Sequence, residues 1–291
     1  MVSSELDLPE PECERISMNA VFSAGPAVIR IGRTNADPMA AILWAELLAA
    51  EGITVAAPFI RRVFRHDEIS PDLAATVWRR IEIDRSADVD WASVGSMIGH
   101  VHALAPSRVA SIHPLPVAAD FAWWNAGDVI ETFDAETVDL VSPAARDRLL
   151  ESWHQLAPAL DTVRRGPLVI CHGDVHPGNV VVDARTGSTV LLDWDLTCSA
   201  IPAWDHSALM TWASRWGGQV GVYESFCRGY GVDLRDDDTA VALAELRLLT
   251  AMVMRIVAAR RDESAVPEML NRLRYYTDHT DSAPAPTWHA V

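Results

Sequence analysis

Cysteine is scarce in this sequence, and its few copies lie far apart. Four cysteines occur in 291 residues, and no two of them form a Cys-x-x-Cys pair. Neither a disulfide framework nor a zinc knuckle is predicted, because both need numerous or closely spaced cysteines. With 49% hydrophobic residues, a chain of this length is expected to fold around an apolar core as one large domain or two lobes.

Positive charge is also in short supply. The 24 Lys and Arg residues stand against 40 Asp and Glu residues, which gives a formal net charge of −16. Such a charge repels nucleic acid phosphates and anionic lipid headgroups at long range, so neither nucleic acid nor a membrane is an expected partner. A small neutral or cationic molecule fits this charge better.

Long uninterrupted apolar runs are absent as well. The most apolar stretch, residues 241–259, contains Glu245, Arg247 and Arg255, so a buried helix is expected there instead of a membrane span. The stretch MVSSELDLPEPECER at the beginning of the sequence is acidic and has no apolar segment of the kind that a secretory signal needs. A cytoplasmic protein is therefore expected.

The pattern of the amino-terminal part indicates a small sheet with one helix. Residues 15–33 cluster Val, Ile and Phe around a Gly-Pro turn, which predicts two antiparallel strands. A helix is predicted over DPMAAILWAELLAAEGI, because Pro38 stands near its start and Gly52 follows its last apolar position. TVWRRIEI, preceded by the turn residues Ser70 and Pro71, predicts a further strand.

The larger part that follows is predicted to be mainly helical. Apolar residues recur at helical spacing over residues 90–104 and 144–163, and the pattern returns over residues 203–277. Three short β-branched runs, LVIC, NVVVD and TVLLD, lie between the helices, and a hairpin-like connection joins the last two. The chain is therefore predicted to be an α+β protein, with a small β-rich lobe over residues 1–83 and a larger helical lobe over residues 84–291.

Polar residues gather around this hairpin. Asp174 and Asn179 lie five residues apart in a loop that Pro177 and Gly178 keep out of regular structure, and Asp193 follows the hairpin. Their side chains are expected to converge. Carboxylate and amide oxygens suit Mg2+, which keeps water and phosphate as its other ligands. A further carboxylate that the metal does not saturate can orient a hydroxyl group and accept its proton.

Two simpler explanations compete with a magnesium site. Asp and Asn often cap strand ends and form turns, but three coordinated positions, Asp174, Asn179 and Asp193, would have to coincide by chance. His172 and His176 have the i, i+4 spacing of a helical zinc pair, but the nearby glycines and proline oppose a helix, and no Glu follows the first histidine. Magnesium is therefore favoured over both explanations.

The spacing His-Gly-Asp-x4-Asn, followed by a short hairpin and Asp-Trp-Asp, resembles the catalytic and metal-binding loops of the aminoglycoside phosphotransferase and choline kinase family. The resemblance implies a bilobal protein-kinase-like fold. It also implies that Asp174 is the catalytic base, Asn179 a Mg2+ ligand, and Asp193 the group that bridges the metal and the nucleotide phosphates. His172 would pack against the loop and brace it. The stretch PAWDHSAL resembles the family's Trp-x-Asp segment, which implies that Asp205 braces the same loop.

The amino-terminal strands also resemble this family. SMNAVF followed by AVIRI is similar to the family's phosphate-covering strand pair and to the next strand, which ends on a basic residue that grips phosphate. Arg30 takes that position in place of Lys, and Glu46 on the following helix is its implied partner, with Glu51 as the alternative. Ser17 and Asn19 stand in the phosphate loop where a Gly-x-Gly pattern is usual.

The implied function is transfer of the γ-phosphoryl group of ATP or GTP to a hydroxyl of a small molecule, with Mg2+ as cofactor. An aminoglycoside-like acceptor fits the acidic composition, while choline-like, amino-alcohol, macrolide and sugar acceptors, and a role in antibiotic resistance or in metabolism, stay open. The alternative is a catalytically inactive nucleotide-binding regulatory protein, which the Arg at the lysine position and the glycine-poor loop motivate. A protein kinase ranks below both, because no evident activation segment with a substrate-docking pattern follows Asp193.

Overall fold

The computed structural model describes residues 2–16, 19–33, 37–66, 70–133, 140–278 and 287–289. Within these ranges the protein has an amino-terminal antiparallel sheet and a larger, mainly helical part that carries two short strand pairs. The α+β class predicted from the sequence is therefore confirmed.

The strands of the described chain are β1 Glu12–Ile16, β2 Asn19–Ala24, β3 Ala27–Arg33, β4 Phe64–His66, β5 Ser70–Arg79, β6 Val169–Cys171, β7 Val180–Val182, β8 Thr189–Leu191 and β9 Cys198–Ala200. Its α-helices are α1 Val2–Glu5, α2 Pro38–Ala50, α3 Trp91–Ala103, α4 Pro106–Val109, α5 Ala126–Glu131, α6 Pro143–Leu156, α7 Pro158–Arg165, α8 Ala203–Met210, α9 Trp212–Arg215, α10 Val222–Tyr230, α11 Asp238–Ala259 and α12 Val266–Thr277.

The amino-terminal sheet has the strand order β1-β2-β3-β5-β4, and every neighbouring pair is antiparallel. β2 and β3 form the predicted hairpin, which turns at Gly25 with φ of 57°, a backbone conformation that glycine adopts without steric cost. Arg30 lies in the middle of β3, opposite Val21 on one neighbouring strand and Thr76 on the other. Hydrogen-bonded strands on both sides therefore fix the backbone from which Arg30 projects.

β5 starts earlier and ends earlier than the predicted strand. Ser70 and Pro71, which were expected to form a turn, are its first residues, and residues 80–83 lie outside it. The first residue of β5, Ser70, pairs with His66 of β4, and from Leu73 onward β5 also pairs with β3. These partners satisfy the backbone of β5, and that pairing outweighs the local turn preference of Ser and Pro.

α2 has the ends that the sequence predicts. The Asp37 side chain caps its start by accepting a hydrogen bond from the Met39 N–H at 3.1 Å, and Gly52, with φ of 79°, follows its end. Its buried Trp44 packs in one apolar cluster with Leu191 of β8 and with residues of α3, β6 and α10. α2 therefore contacts β5 of the sheet and also packs into the core of the helical part.

The helical part is arranged around α11, whose 22 residues confirm the buried helix predicted over residues 241–259. The Asp237 side chain caps α11 by accepting from the Ala240 N–H at 2.8 Å. α11 contacts α5, α6, α7, α8 and α12. None of the described helices combines the length and the apolar character that a bilayer crossing requires.

Two short strand pairs belong to the helical part, and one of them contacts the segment that follows α2. β7 and β8 form the predicted hairpin, and β6 pairs with β9, a strand that the sequence did not indicate. The Leu191 N–H of β8 donates to the Thr54 carbonyl at 3.1 Å, in the segment that follows α2. The hairpin is thereby held against the part of the chain that carries Arg30.

Candidate active site

A glycine lets two loops of the site approach each other. Gly173, just after β6, has φ of 91°, and a Cβ at this position would overlap with the carbonyl oxygen of Leu196. Only glycine therefore fits here, both by backbone conformation and by space. The close approach brings Asp174, the next residue, beside the segment that begins with Asp193.

Asp205, on α8, binds the backbone at the start of the β6–β7 loop. Its fully buried carboxylate accepts hydrogen bonds from the His172 N–H at 2.9 Å and the Gly173 N–H at 2.8 Å, and it lies 3.1 Å from Nε2 of His102. Burial by itself would raise the pKa of Asp205, but His102, His172 and the Gly173 N–H more than offset it, so the pKa lies below its ordinary value. The carboxylate is therefore ionised and anchors the loop.

His172 links the Asp174 loop to the end of the hairpin. Its Nδ1 accepts from the Asp174 N–H at 3.1 Å, so Nε2 carries the ring hydrogen and donates to the Leu192 carbonyl at 2.9 Å. Burial lowers the pKa of His172, which keeps the ring neutral. These two hydrogen bonds connect the β6–β7 loop to the end of the hairpin.

The Asp174 carboxylate is surrounded by donors. The Asn179 side-chain amide donates to the Asp174 carbonyl at 3.0 Å and to its Oδ2 at 3.3 Å, while Nε2 of His176 lies 3.3 Å from Oδ2 and Nη1 of Arg247 lies 3.4 Å from Oδ1. Burial raises the pKa of Asp174, but His176, Arg247 and His172 together bring it well below the ordinary carboxyl value. Asp174 is therefore a carboxylate at neutral pH.

Two residues of the amino-terminal sheet, Arg30 and Asn19, contact the segment that follows the β7–β8 hairpin. Asp193, just after β8, has a left-handed backbone with φ of 58°, and its Oδ1 lies 3.8 Å from Nη2 of Arg30. The Arg30 guanidinium also makes two hydrogen bonds to the Asp195 carboxylate, and Nδ2 of Asn19 donates to Asp195 at 3.3 Å. Ser17, the other residue predicted for the phosphate loop, lies outside the described residues.

The residues at the end of the hairpin fit a hard cation. Since the Asn179 amide nitrogen is used by Asp174, the amide oxygen is the end that remains for a ligand. The Asp193 carboxylate is 40% exposed. Amide and carboxylate oxygens are the donors that Mg2+ prefers.

A family model describes most of this chain. The model of the phosphotransferase enzyme family matches residues 23–246, a range that includes Arg30, Asp174, Asn179 and Asp193. The chain belongs to the phosphotransferase enzyme family. A search among curated proteins finds no significant match.

Solved structures with the same fold include several phosphotransferases. APH(2")-IIia in its GDP and kanamycin complex has a TM-score of 0.72 at 14% identity, covering 96% of this chain and 97% of its own. The spectinomycin phosphotransferase APH(9)-Ia, with ADP and spectinomycin, has a TM-score of 0.63 at 16% identity, covering 94% and 90%. A choline/ethanolamine kinase family protein from Mesorhizobium loti has a TM-score of 0.58 at 17% identity, covering 94% and 89%. The predicted bilobal kinase-like fold is therefore confirmed.

The predicted ion pair between Arg30 and Glu46 is wrong for this member of the phosphotransferase family. Glu46 pairs with Arg61 at 3.5 Å, and Glu51, the alternative, pairs with Arg108. Arg30 instead faces the end of the hairpin, where the carboxylates of Asp193 and Asp195 are both within reach. Two close carboxylates hold its guanidinium there, on the side of the sheet that faces the helical part.

Two contacts of Asp174 were missed from the sequence. His176 was considered only as a zinc ligand, and Arg247 only as an interruption of an apolar helix, yet both contact Asp174. The sequence does indicate that Arg247 has a partner, because a charged residue inside an apolar helix is almost never buried unless it is paired. Its partner lies 73 positions away in the sequence, and no local pattern names it.

A second cluster of possible metal ligands lies beneath the loop. Among the described residues, ligand atoms of His102, Cys171 and Asp205 lie within 4.8 Å of one another. Burial raises the pKa of the Cys171 thiol well above its ordinary value, so the thiol stays protonated, whereas a metal needs the thiolate. Asp205 is used by two backbone N–H groups and His102. The cluster therefore braces the β6–β7 loop.

Proposed function

We propose that this phosphotransferase transfers the γ-phosphoryl group of ATP or GTP to a hydroxyl of a small molecule, with Mg2+ as cofactor. The observation that carries the proposal is that a basic residue of the sheet and the polar residues of the β6–β7 loop both lie at the same end of the β7–β8 hairpin. Arg30 reaches Asp193 and Asp195 from the sheet, while Asn179 bonds Asp174 in the adjacent loop. Phosphoryl transfer needs this combination of phosphate grip, metal ligands and a carboxylate for the acceptor.

Arg30 and Asn19 form the phosphate side of the proposed site. The planar guanidinium of Arg30 offers a fixed fork of donors to phosphate oxygens and keeps its charge at every physiological pH. Asn179 and Asp193 would hold Mg2+ next to these phosphates. When bound, Mg2+ neutralises negative charge on the phosphate oxygens as the transfer proceeds.

Asp174 forms the acceptor side. As a carboxylate it accepts a hydrogen bond from the acceptor hydroxyl and points the oxygen at the γ-phosphorus. The acceptor O–P bond forms as the bond from the γ-phosphorus to the bridging oxygen breaks; the nucleoside diphosphate leaves and the hydroxyl proton passes to Asp174. Since the pKa of Asp174 is low, we expect orientation of the hydroxyl to contribute more than early proton removal.

The acceptor is proposed to be a small hydroxyl compound that carries positive charge, with aminoglycosides and choline-like alcohols as candidates. The formal net charge of −16 attracts cations. A row of rings also leads away from Asp174: His176 stacks on Trp212, and Trp212 stacks on Trp216, each with ring centroids 6.2 Å apart. Such rings attract cations and pack against sugar faces, which supports this acceptor class.

The proposal is tested by incubating the protein with ATP or GTP, with and without Mg2+, and with kanamycin, spectinomycin, choline or ethanolamine. We expect Mg2+-dependent release of nucleoside diphosphate and an acceptor that gains one phosphoryl group by mass spectrometry. Asp174→Asn is expected to abolish both, whereas Asp183→Asn, in the turn at the far end of the hairpin, keeps them.

Other results of this experiment have different meanings. Tight nucleotide binding without hydrolysis or transfer would establish the catalytically inactive nucleotide-binding regulatory protein instead. Equal turnover of wild type and Asp174→Asn would remove Asp174 from its role. Absence of nucleotide binding with both ATP and GTP would contradict the proposal as a whole.

A further inference from the structure

Arg247 is a charged residue in the apolar interior of α11. Its neighbours Leu246 and Leu248 are buried, and its own side chain is 12% exposed. The guanidinium carbon lies 5.1 Å from the ring centroid of Trp124 and 5.5 Å from that of Trp204. A guanidinium in such surroundings needs hydrogen-bond partners, because an unpaired buried charge is very costly.

The partners of Arg247 lie on the catalytic loop and on α8. Nε donates to Oγ of Ser207 at 2.6 Å, and Nη2 donates to the Gly173 carbonyl at 2.6 Å. Nη1 donates to Oδ1 of Asp174 at 3.4 Å. Among the described residues, Asp174 is the carboxylate with which Arg247 forms an ion pair. The fork therefore contacts the backbone of one loop residue and the carboxylate of the next.

A second arginine of the described chain has similar surroundings but hydrogen-bonds to groups outside the Asp174 loop. Arg272 on α12 is also almost buried, with its side chain 7% exposed, and it also lies between two indoles, Trp216 and Trp288. Its carboxylate partner, at 2.9 Å, is Glu268 on the same helix. The two arginines have similar surroundings, but Arg247 pairs with a carboxylate of a distant loop and Arg272 with one on its own helix.

We propose that Arg247 is a positioning residue for the transfer reaction, an inference that rests on the proposed function. Two parallel donors, one on Gly173 and one on Asp174, keep the Asp174 carboxylate in one orientation toward the acceptor hydroxyl. Ser207 accepts from Nε, the third guanidinium nitrogen, and thereby fixes the plane of the Arg247 guanidinium. Arg247 acts through Asp174 and takes no part in bond making. A lysine cannot replace it, because a single ammonium group lacks the planar fork.

The test compares Arg247→Ala, Arg247→Lys and Arg272→Ala with the wild type in Mg2+-dependent hydrolysis of ATP or GTP, a reaction that needs no acceptor. We expect kcat of Arg247→Ala to fall by about 10²-fold, the cost of a reacting group misplaced by about 1 Å. The nucleotide KM is expected to stay within about threefold, because the phosphate side of the site is untouched. Arg247→Lys is expected to lose kcat as well, although it keeps the charge.

Chemical rescue separates positioning from folding. Guanidinium chloride at concentrations well below denaturation is expected to restore kcat of Arg247→Ala, because the ion fits between Trp124 and Trp204 and supplies the missing donors. Urea, which has a similar shape and no charge, is expected not to restore it. Arg272→Ala is expected to unfold at a lower temperature, to keep its kcat below that temperature, and to show no rescue.

Several results would overturn this inference. It is wrong if Arg247→Ala or Arg247→Lys keeps the wild-type kcat, if urea restores activity as well as guanidinium does, or if Arg272→Ala loses kcat to the same extent. Should Arg247→Ala fail to fold, Arg247→Lys alone decides between the outcomes. If Asp174→Asn loses turnover while Arg247→Ala keeps it in full, the inference about Arg247 is wrong and the proposed function stands. If the wild type has no turnover, both the proposed function and this inference are wrong.

Discussion

The guanidinium of Arg30 on β3 donates to the carboxylate of Asp195 across 165 positions of sequence, with Nη1 2.7 Å from Oδ1. Asp195 is therefore a hydrogen-bond acceptor that holds Arg30 over the end of the hairpin. The two side chains are 24% and 40% exposed, so the ion pair is partly screened by water and contributes little net stability. Phosphate oxygens can therefore compete with Asp195 for Arg30.

Replacing Arg30 with Gln is expected to weaken nucleotide binding. Hydrogen bonds to charged groups contribute about 1.5–3 kcal/mol, so the loss corresponds to about tenfold or more in Kd. Isothermal titration calorimetry with Mg2+ and ATP or GTP measures this change. Arg65→Gln, an exposed arginine of β4 in the same sheet, is the control and is expected to bind as the wild type does. An unchanged Kd for Arg30→Gln would remove Arg30 from the phosphate site.

Asp193 and Asp195 are expected to differ in their effect on Mg2+. A ligand at about 100 times its Kd adds about 2.7 kcal/mol to the unfolding free energy, which raises the midpoint of thermal unfolding. Asp193→Asn is expected to lose the Mg2+-dependent part of this shift, whereas Asp195→Asn keeps it. Asn tolerates the left-handed backbone at position 193, so the substitution changes the ligand without straining the chain. The opposite pattern would make Asp195 the metal ligand.

Asp205→Asn is expected to lower the unfolding free energy by about 3–5 kcal/mol, as removal of one partner of a buried charged network does. The two backbone N–H groups donate to different oxygens of this carboxylate, and in Asn one of these oxygens is replaced by an NH2 group that cannot accept. Urea unfolding measures the change. Asp233→Asn, which breaks an exposed pair with Arg235, is the control and is expected to cost about 1 kcal/mol or less. Equal losses in the two variants would contradict the bracing role.

His206 is expected to make stability fall on acidification. Burial lowers the pKa of His206 to about 4, against an ordinary value of about 6.5. Between these values the unfolded chain binds a proton that the folded chain does not, so the unfolding free energy decreases as the pH is lowered, by up to about 1.4 kcal/mol per pH unit. Asp205, His102 and Asp233 are the titratable neighbours that act on this group.

The check is urea unfolding at several pH values between 4 and 7 for the wild type and His206→Phe, a range that follows from the two pKa values. A phenyl ring fits among Tyr223, Phe226 and Tyr230 and does not titrate, so the variant is expected to lose much of this pH dependence. His154→Phe changes an exposed histidine and is expected to keep the wild-type slope. Identical slopes for the wild type and His206→Phe would contradict the assignment.

Short-range features of this protein follow from its sequence. Proline at the start of α2, glycine after its end, and the turn between β2 and β3 are local conformational preferences, and the structure has all three. The spacing of Asp174 and Asn179 within one loop is local too, because five residues interrupted by proline and glycine leave few ways for the two side chains to avoid each other. Local backbone chemistry thus determined the helix ends, the hairpins and half of the candidate site.

Only the tertiary structure decided which distant groups meet. Arg30 pairs with Asp195 and not with Glu46, and Arg247 of α11 reaches Asp174 across 73 positions. β5 begins at Ser70 because β4 pairs with this first residue, and β3 pairs with β5 from Leu73 onward. The physical reason is common to these cases: a long charged side chain or the backbone at a strand end can bond to any of several partners. The packing of whole helices and strands selects the partner that lies within 3 to 4 Å, the reach of a hydrogen bond or ion pair.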